Sequence, residues 1–443
     1  MYKKYDRRNF VKLSTSGTFD DADSFRNIFP KEAFPQNQTG SKTLRLGFIG
    51  IGGRGSYHLN AALGIEGVEV PAICELKPVR LYQAKRWIEA AGLPTPRLYD
   101  RGPEDFKRLC ESEDLDAIIC CTPWEYHTPV CVAAMKNNKH AVTEVPICIT
   151  IEEAWEIVEI YESTGKWATM GLEFFYNLPI LNMIQKGLFG DIVHAETGYI
   201  HDLRMVKFTP EEEPWRLQHS LNRNGNLYPD HPMASMLPAL DINHGDRFDY
   251  IQSMSSNSVM LNNYAALNYG KDSLYAKAKV SLGDYNASIV RTINGKMMTI
   301  IHDTSTPHPR EDYRIQGTKG VYLSNGKRIY LEGISPKEHE WEPADKYLKE
   351  YAHPVTVNYN PPPRKGGAIQ GHGGGGTQTP QHWDRLVRAL RENKLPDWDV
   401  YDSVTSSAII PLSCASVANR SQAVDFPDFT KGKWKTSPRI NLV

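Results

Sequence analysis

The stretch that decides the fold is LGFIGIGGRGSYHLNAAL, from Leu46 to Leu63. An apolar segment leads into the turn GIGGRG, and residues typical of a helix follow. Gly50, Gly52 and Gly55 satisfy the spacing G-x-G-x-x-G, which predicts a dinucleotide-binding turn when a strand precedes it and a helix follows. Gly50 permits the tight turn, Gly52 lets the backbone approach a pyrophosphate, and the helix N-terminus adds N–H groups and partial positive charge. A purely structural glycine turn is the alternative.

The next strand-like segment supports the same interpretation. VEVPAICEL carries Glu75 at its end, 25 residues after Gly50. A carboxylate at this place can accept hydrogen bonds from a ribose hydroxyl, and it repels a 2′-phosphate. The sequence therefore predicts NAD, rather than NADP, as the cofactor.

The composition disfavours several classes of protein. The chain has 443 residues with 51 basic and 52 acidic side chains, a balance that does not suit a nucleic-acid or membrane-surface protein. No apolar segment approaches the roughly 20 residues of a membrane span. The seven cysteines are odd in number and include no C-x-x-C pair, so we expect buried thiols and neither a zinc site nor a disulfide framework.

The order of segments predicts two domains. From Leu44 onward strand-like and helix-like segments alternate, which indicates a doubly wound parallel sheet, and Thr150 with Glu153 forms a capping-box pattern. After about residue 195 the pattern changes to strand-like segments separated by turns, which indicates a C-terminal α/β domain with a large, open, mostly antiparallel sheet. These segments are HAETGYIHDL, SLYAKAKVSL, ASIVRTING, MMTIIHDT, GVYLSN and RIYLEG. We place an N-terminal arm at 1–40, a Rossmann domain at 41–165 and a substrate and oligomerisation domain at 166–443.

The arm contains DRRNFVKLS, from Asp6 to Ser14, which resembles a twin-arginine export motif. Such a signal needs an apolar region next, whereas the polar TSGTFDDADSFRN follows. Two interpretations stay open: export to the periplasm by the twin-arginine route, and a solvated arm on a cytoplasmic protein.

Two further segments follow later strands of the first sheet. Thr122-Pro123-Trp124-Glu125-Tyr126-His127 follows the fourth strand, and Thr143-Glu144-Val145-Pro146 ends the fifth. Because ligands of doubly wound sheets bind beyond the carboxyl ends of the strands, we expect both segments to meet the nicotinamide half of the cofactor. For Trp124, simple packing is the alternative.

Other motifs favour no competing chemistry. Asp241 and His244 in DINHGDRFD lack further ligands at a recognised spacing, so we expect hydrogen-bonded helix ends there and no metal. No serine lies in a G-x-S-x-G context. GHGGGG, from Gly371 to Gly376, lacks the Lys-Ser/Thr ending of a phosphate loop.

At these motifs the chain resembles the glucose–fructose oxidoreductase / inositol dehydrogenase / MocA family. The resemblance implies an N-terminal Rossmann domain joined to a C-terminal α/β domain with an open sheet. Dehydrogenases of this family carry Glu-Lys-Pro where this chain has Glu144-Val145-Pro146, and their lysine helps to deprotonate the alcohol. Because Val145 cannot exchange a proton, an ordinary sugar dehydrogenase is disfavoured.

Within that family the chain is most similar to the NAD-dependent α-N-acetylgalactosaminidases, from about Leu44 to Trp434. The shared segments are GIGGRG, TPWEYHTP, EVP, LNMIQKGLFGD, GYIHDLR, NRNGNLYPDH, LDINHGDRFDYIQSMSS, HDTS, QGTKG, GHGG, VYD and SVANRSQAVDFPDFTKGKW. The similarity implies NAD contacts at Gly53, Arg54, Glu75, Trp124, His127, Glu144 and Val145. It implies sugar contacts at Tyr199, Arg216, Tyr228 and His231.

The chain departs from the family pattern near the sugar. Glu173, expected at the cofactor, stands where the family has an asparagine, and Phe174-Phe175 precedes Tyr176. Arg310 stands where a substrate tyrosine is usual, and Pro232-Met233-Ala234 replaces Gly-Leu-Gly. These changes leave the identity of the sugar open.

The resemblance implies glycoside cleavage by transient oxidation, an exception to the two-carboxylate mechanism of most glycosidases. NAD takes a hydride from sugar C3, and the resulting ketone acidifies the C2 proton. A base removes that proton, the C1 substituent leaves, water adds and the hydride returns. We assign His231 to the C3 hydroxyl and Tyr176 or Tyr228 to the C2 proton, with Arg216 as a cation that could favour a tyrosinate.

Three functions follow as alternatives. The first is a NAD-dependent glycosidase, acting on an N-acetylgalactosaminide-like or related glycoside. The second is a NAD-dependent oxidoreductase that forms a 3-keto sugar. The third is a non-catalytic sugar-binding relative that keeps NAD. In each case we expect a homo-oligomer formed through the open sheet.

Overall fold

The computed structural model describes residues 42–170, 177–208, 215–309, 313–360 and 379–440. Several sequence-based expectations fall outside these residues: the arm at 1–40, Glu173, Phe174-Phe175, Tyr176, Arg310 and GHGGGG.

The first domain is a six-stranded parallel sheet in the order β3-β2-β1-β4-β5-β6. Its strands are β1 Leu44–Ile49, β2 Val68–Cys74, β3 Arg97–Tyr99, β4 Ala117–Cys120, β5 His140–Thr143 and β6 Ala168–Met170. The connecting helices are α1 Gly53–Leu63, α2 Pro78–Ala90, α3 Asp105–Ser112, α4 His127–Lys136 and α5 Ile151–Thr164. The direction of winding reverses between β1 and β4, which is where ligands of such sheets bind.

Local sequence explains these elements. All four residues of β4 are buried because helices cover both faces of a parallel sheet, so its sequence is a continuous apolar segment. The predicted capping box at α5 is confirmed, since the Thr150 hydroxyl accepts from the backbone of Glu153 and the Glu153 carboxylate accepts from the backbone of Thr150. β6 pairs with β5, so the sheet extends past the predicted boundary at residue 165.

The second domain is a nine-stranded mixed sheet in the order β14-β13-β12-β11-β7-β10-β9-β8-β15. Its strands are β7 Ile192–Ile200, β8 Phe248–Ser255, β9 Asn286–Thr292, β10 Met297–Asp303, β11 Arg314–Gly317, β12 Gly320–Leu323, β13 Arg328–Leu331, β14 Glu342–Pro343 and β15 Val424–Asp425. Only the β7–β10 pair is parallel among the described pairings. The predicted fold class, a Rossmann domain followed by a mostly antiparallel open sheet, is confirmed.

Ten helices accompany the second sheet in the described part of the chain. They are α6 Leu178–Gln185, α7 Arg204–Lys207, α8 Trp215–Asn222, α9 Asp230–Leu240, α10 Met260–Tyr269, α11 Asp345–Glu350, α12 Pro354–Val357, α13 Thr379–Glu392, α14 Val400–Ser407 and α15 Ile409–Ala418. α13 returns to the first domain and packs on α1 and β1. Every residue of α14 is buried, and its serines bond to backbone of the first domain: Ser403 accepts from Met170 and Ser407 from Ile147. None of the helices that the structure describes has both the length and the apolar character to cross a bilayer.

One predicted strand is wrong. SLYAKAKVSL contains no strand, and Leu274 within it is 88% exposed. The Asn262 side chain, on α10, donates hydrogen bonds to the carbonyl oxygens of Tyr275, Ala276 and Ala278. The side chain of Asn262 therefore binds this backbone in turns, whereas the alternation of apolar and polar residues predicts a strand.

The segment DINHGDRFD forms the end of α9 and the start of β8. Asp241 ends α9 with a φ of 60°, and Nδ1 of His244 lies 2.7 Å from the carbonyl oxygen of Pro438. The expected hydrogen-bonded helix end is confirmed.

Candidate active site

The glycine turn occupies the switch point between β1 and β4, and its geometry requires glycine at two positions. Gly50 has a φ of +83°, and a Cβ there would lie 2.7 Å from the carbonyl oxygen of Cys121. A Cβ on Gly55 would lie 2.0 Å from the carbonyl oxygen of Gly50. A side chain at either position would therefore clash with the backbone. The two glycines allow the close packing of the turn, and α1 begins within it at Gly53.

Gly52 has a different environment. The atom nearest to a Cβ placed there is Nη1 of Arg80, at 3.3 Å, and the residue lines the cleft above the turn. Within the part of the chain that the structure describes, only the end of a flexible, cationic side chain therefore approaches this backbone. Together with the N-terminus of α1 it suits a pyrophosphate.

Glu75 stands at the end of β2 and is fixed by the neighbouring backbone. Its Oε2 accepts a hydrogen bond from the backbone N–H of Ile51 at 2.7 Å, and its Oε1 accepts one from Lys77 at 2.8 Å. The first of these bonds links the carboxylate directly to the glycine turn. Carboxylate oxygens carry further lone pairs, so the group can still accept ribose hydroxyls.

The loop after β4 is held by His127. Its Nδ1 lies 2.6 Å from the carbonyl oxygen of Pro146 and its Nε2 lies 2.9 Å from that of Thr122. Burial lowers the pKa of His127, although both carbonyl oxygens favour the protonated ring. The side chain therefore ties the loop at Thr122 to the loop after β5, and it lines the cleft together with Thr122, Pro123 and Val145.

Glu144 lies at the centre of a buried polar group. Its Oε1 lies 2.7 Å from Nε2 of His58 and 3.1 Å from Nε of Arg54. The indole N–H of Trp383, on α13, lies 3.4 Å from the other nitrogen of His58. Burial alone would raise the pKa of the Glu144 carboxyl, but the charge of Arg54 and the hydrogen bond from His58 hold it well below its usual value. The cleft therefore has a permanent carboxylate beside Val145.

Trp124 joins the two domains. Its ring centroid lies 4.5 Å from that of His219, 4.9 Å from that of Tyr228 and 5.4 Å from that of Trp215. Glu125, the next residue, lies 3.3 Å from His219, which lowers the pKa of the Glu125 carboxyl. Trp124 lines the cleft and also packs in a small core, so the packing alternative is confirmed, and its contact with NAD stays a prediction.

The second domain contributes a set of nearly parallel rings, which we call the ring stack: Tyr199, Tyr228, His231 and His302. The Tyr199 centroid lies 4.8 Å from those of both Tyr228 and His231, with interplanar angles of 18° and 19°. His302 is the neighbour of Tyr199 in the β10–β7 ladder, and its ring lies parallel to that of Tyr228 at 6.2 Å. Burial lowers the pKa of His302 to about 3, which keeps this ring neutral beneath the cleft.

One cleft of about 420 Å³ brings these groups together. Of the sequence-predicted residues that the structure describes, all but Gly55 line it: Gly50, Gly52, Gly53, Arg54, Glu75, Thr122, Pro123, Trp124, His127, Glu144, Val145, Tyr199, Arg216, Tyr228 and His231. Gly55 supports the turn from behind. Glu173 and Tyr176 lie outside the described residues.

Sequence reasoning missed several residues of this cleft. Lys77, Arg80, Phe106 and His201 also line it. The signal for His201 was present, because residues two apart on a strand point to the same side and Tyr199 was already assigned to the sugar. Nothing local marks His58 or Trp383, whose contact spans 325 positions.

The class of protein follows from this shared cleft. The first domain supplies a dinucleotide-binding turn and the second supplies ionisable rings, which is the arrangement of a dinucleotide-dependent enzyme of the oxidoreductase type. Residues 44–172 match the family described as "Oxidoreductase family, NAD-binding Rossmann fold", and residues 176–436 match "Glycosyl hydrolase 109, C-terminal domain". The chain belongs to glycosyl hydrolase family 109.

Relatives of the whole chain agree with this assignment. The chain is 36% identical to a glycosyl hydrolase family 109 protein of Shewanella pealeana, with 99% of each chain covered. It is 34% identical to an alpha-N-acetylgalactosaminidase of Tannerella forsythia, with 97% of each covered. The protein is therefore a NAD-binding enzyme of the glycosidase or sugar oxidoreductase type.

Two solved structures share the fold. Levoglucosan dehydrogenase in complex with NADH and levoglucosan has a TM-score of 0.64 and 18% identity, covering 87% of this chain and 100% of that one. An inositol dehydrogenase homologue complexed with NAD+ from Azotobacter vinelandii has a TM-score of 0.66 and 17% identity, covering 89% of this chain and 100% of that one. Identities this low support the fold alone.

Proposed function

We propose that this chain is a NAD-dependent glycosidase that cleaves an N-acetylgalactosaminide-like or related glycoside by transient oxidation at sugar C3. When bound, NAD supplies reversible oxidation of that carbon, taking a hydride and returning it within one turnover. The observation that carries the proposal is the shared cleft, which is lined by the glycine turn, by Val145 and by Tyr199, Tyr228 and His231 of the ring stack.

The residues present fit NAD. Gly52 and the N-terminus of α1 would hold the pyrophosphate, because among the described residues only the tip of Arg80 approaches the position of a Cβ on Gly52. Glu75 would hold the adenosine ribose, since its carboxylate is already anchored to the turn by the backbone of Ile51. Glu144 stays ionised and would lie beside the nicotinamide half, where a negative charge favours the cationic, oxidised ring.

Proton transfer falls to the second domain. His231 would exchange a proton with the C3 hydroxyl, because an imidazole titrates near neutral pH and its ring lies against Tyr199 inside the cleft. Tyr228, or Tyr176 outside the described residues, is the predicted acceptor of the C2 proton. Loss of this proton expels the C1 substituent, and water then adds at C1 before the ketone is reduced.

Two observations support hydrolysis over net oxidation. Val145 lines the cleft where the resembling dehydrogenases carry their proton-exchanging lysine, so this position offers no base. The relative from Tannerella forsythia is named for hydrolysis of N-acetylgalactosaminides. The alternative, an oxidoreductase that forms a 3-keto sugar, is compatible with the fold, which this chain shares with sugar and inositol dehydrogenases.

The test uses the purified protein without added NAD, in heavy water, with aryl α- and β-glycosides that include the N-acetylgalactosaminides. Release of the aglycone together with deuterium at C2 of the released sugar is the expected result. A stoichiometric build-up of reduced nicotinamide without aglycone supports the oxidoreductase. Turnover in neither assay by a protein that holds NAD contradicts both functions and points to a sugar-binding relative. His231→Asn should abolish turnover while NAD stays bound.

The outer face of the second sheet supports the predicted homo-oligomer. Met254, Ile289 and Met297 lie on the adjacent strands β8, β9 and β10, with 66%, 43% and 42% of their surface exposed. Contiguous exposed apolar side chains of this kind mark interaction sites. We expect light scattering to give the mass of a dimer for the wild type and a smaller mass for Ile289→Lys. An unchanged mass for this variant contradicts the interface.

A further inference from the structure

His201 lies directly after β7 and has a defined partner in the cleft. Its Nδ1 lies 3.2 Å from the hydroxyl oxygen of Tyr199, and the two rings meet edge to face at 5.7 Å. Both side chains line the cleft. Since Tyr199 also belongs to the ring stack, this hydrogen bond connects His201 to the centre of the proposed sugar site.

The backbone holds His201 firmly. Its N–H donates to the carbonyl oxygen of Asp303 at 2.9 Å, which continues the parallel ladder of β7 and β10 by one residue. The next residue, Asp202, accepts hydrogen bonds from the Arg204 side chain at 2.8 and 2.9 Å and from the Arg204 backbone at 3.1 Å. The backbone of His201 is thus fixed between the end of β7 and a hydrogen-bonded turn. A residue that transfers protons needs a fixed position of this kind.

A tyrosine alone is a poor base at neutral pH, because a phenol ordinarily titrates near 10. A cation near the hydroxyl is one remedy, and Arg216, whose guanidinium carbon lies 4.1 Å from the centroid of the Trp215 ring, is the candidate for it. A base that accepts a hydrogen bond from the tyrosine hydroxyl is a second remedy. This base accepts the hydroxyl proton at the same time as the tyrosine oxygen accepts a proton from the substrate, so no tyrosinate accumulates. Nδ1 of His201 is in place for this.

We propose that the Tyr199–His201 pair accepts the C2 proton of the oxidised sugar. This assignment rests on the proposed function, and it replaces Tyr228 and Tyr176 as the base. The C2–H bond breaks, its electron pair forms the C1–C2 double bond, and the C1–O bond breaks with its electrons on the departing oxygen. The proton passes to the Tyr199 oxygen while the Tyr199 proton moves to Nδ1 of His201. When water adds at C1, the same pair returns a proton to C2.

The experiment separates oxidation at C3 from proton loss at C2. The holoenzyme is mixed with the aryl glycoside that the wild type cleaves best, in heavy water. Absorbance of the reduced nicotinamide follows the first step, and deuterium at C2 with aglycone release follows the second. The variants are Tyr199→Phe, His201→Gln and His231→Asn. Glutamine carries no titratable group but can accept the Tyr199 hydrogen bond, so it preserves a purely structural role.

We expect Tyr199→Phe and His201→Gln to form reduced nicotinamide almost as fast as the wild type. Deuterium uptake and aglycone release should slow by about a hundredfold or more, the usual contribution of a general base. His231→Asn should instead suppress the formation of reduced nicotinamide. His339→Gln, an exposed histidine between β13 and β14, should match the wild type in every measurement. An NAD content and a melting temperature equal to those of the wild type would confirm that each variant is folded.

Three results would overturn the assignment. If His201→Gln takes up deuterium at the wild-type rate, His201 is not the proton acceptor. If it loses both steps equally, its role is structural. If Tyr228→Phe abolishes deuterium uptake while the Tyr199 and His201 variants keep it, Tyr228 is the base. In these cases the wild type still cleaves glycosides, whereas a wild type without reduced nicotinamide or aglycone release refutes the proposed function as well.

Discussion

Asp230 is a buried carboxyl next to His231, and its replacement by asparagine should change stability in a pH-dependent way. It is the first residue of α9 and is 2% exposed. Ser406 and Ser407 donate hydrogen bonds to its Oδ1 at 2.7 and 2.8 Å, and Ser407 also accepts from the backbone of Ile147. Burial raises the pKa of Asp230 to about 7, although both serine hydroxyls lower it.

The size of the effect follows from this pKa. A carboxyl with a raised pKa binds its proton more tightly in the folded protein, so its contribution to stability is present below the ordinary value of 3.8 and is lost as pH rises through about 7. Since one pKa unit is about 1.36 kcal/mol and pH 5 lies two units below the folded pKa, the loss between pH 5 and pH 8 is about 3 kcal/mol. At about 2.1 cal/mol/K per residue, the unfolding entropy of 443 residues is about 0.9 kcal/mol/K, so 3 kcal/mol corresponds to about 3 °C.

Asp230→Asn has no charge at any pH, and its amide oxygen can still accept from both serines. Any cost of burying the amide N–H₂ is independent of pH and cancels when two pH values are compared. We therefore expect the melting temperature of the variant, relative to wild type, to be about 3 °C higher at pH 8 than at pH 5. Scanning calorimetry at both values measures it. Asp191→Asn, an exposed carboxyl before β7, should show no such difference. A difference below about 1 °C for Asp230→Asn, or one of opposite sign, refutes the reasoning.

Three other predictions follow from single contacts. Gly50→Ala should reduce bound NAD to under about a tenth of a molecule per chain, because the added Cβ would lie 2.7 Å from the carbonyl oxygen of Cys121. Extraction of the bound NAD measures this, and full occupancy would contradict the turn geometry. Glu144→Gln should lower the melting temperature by about 3 °C, because it removes the carboxylate that Arg54 contacts, and an unchanged melting temperature would show that this contact contributes nothing. Burial lowers the pKa of Lys207 to about 7, so the melting temperature of the wild type should rise by about 4 °C from pH 7 to pH 10 relative to that of Lys207→Met. A constant difference would mean that burial does not lower the pKa of Lys207 and that its amine stays charged in the fold.

The cofactor half of the site could be predicted because its determinants are local. The turn needs a positive φ at Gly50, which favours glycine, and Glu75 follows it at the spacing of one strand–helix–strand unit. Residues 50, 52 and 75 therefore meet for reasons visible within about thirty positions of sequence.

The sugar half could not be derived in this way. Tyr199 lies near the end of β7, Tyr228 lies in the loop before α9 and His231 lies in the first turn of α9. No period of the sequence shows that their rings stack. The resemblance to a known family supplied those residues, but it did not supply His201. The failed strand SLYAKAKVSL illustrates the same limit, because the side chain of Asn262 outweighs the local alternation of residues.

The two halves of the cleft divide the chemistry between the domains. On the Rossmann side, His127 contacts two carbonyl oxygens, Glu144 is held as a carboxylate by Arg54 and His58, and Val145 has no proton to exchange. His127 thus fixes a loop and Glu144 fixes a negative charge, and the contacts of both residues would resist a change of protonation during turnover. The rings of the second domain, by contrast, pair an imidazole with a phenol at hydrogen-bond distance. Under the proposed function, the charges on the Rossmann side stay fixed while protons move in the second domain, and the two halves are coupled through His231, whose charge lowers the pKa of the Glu144 carboxyl.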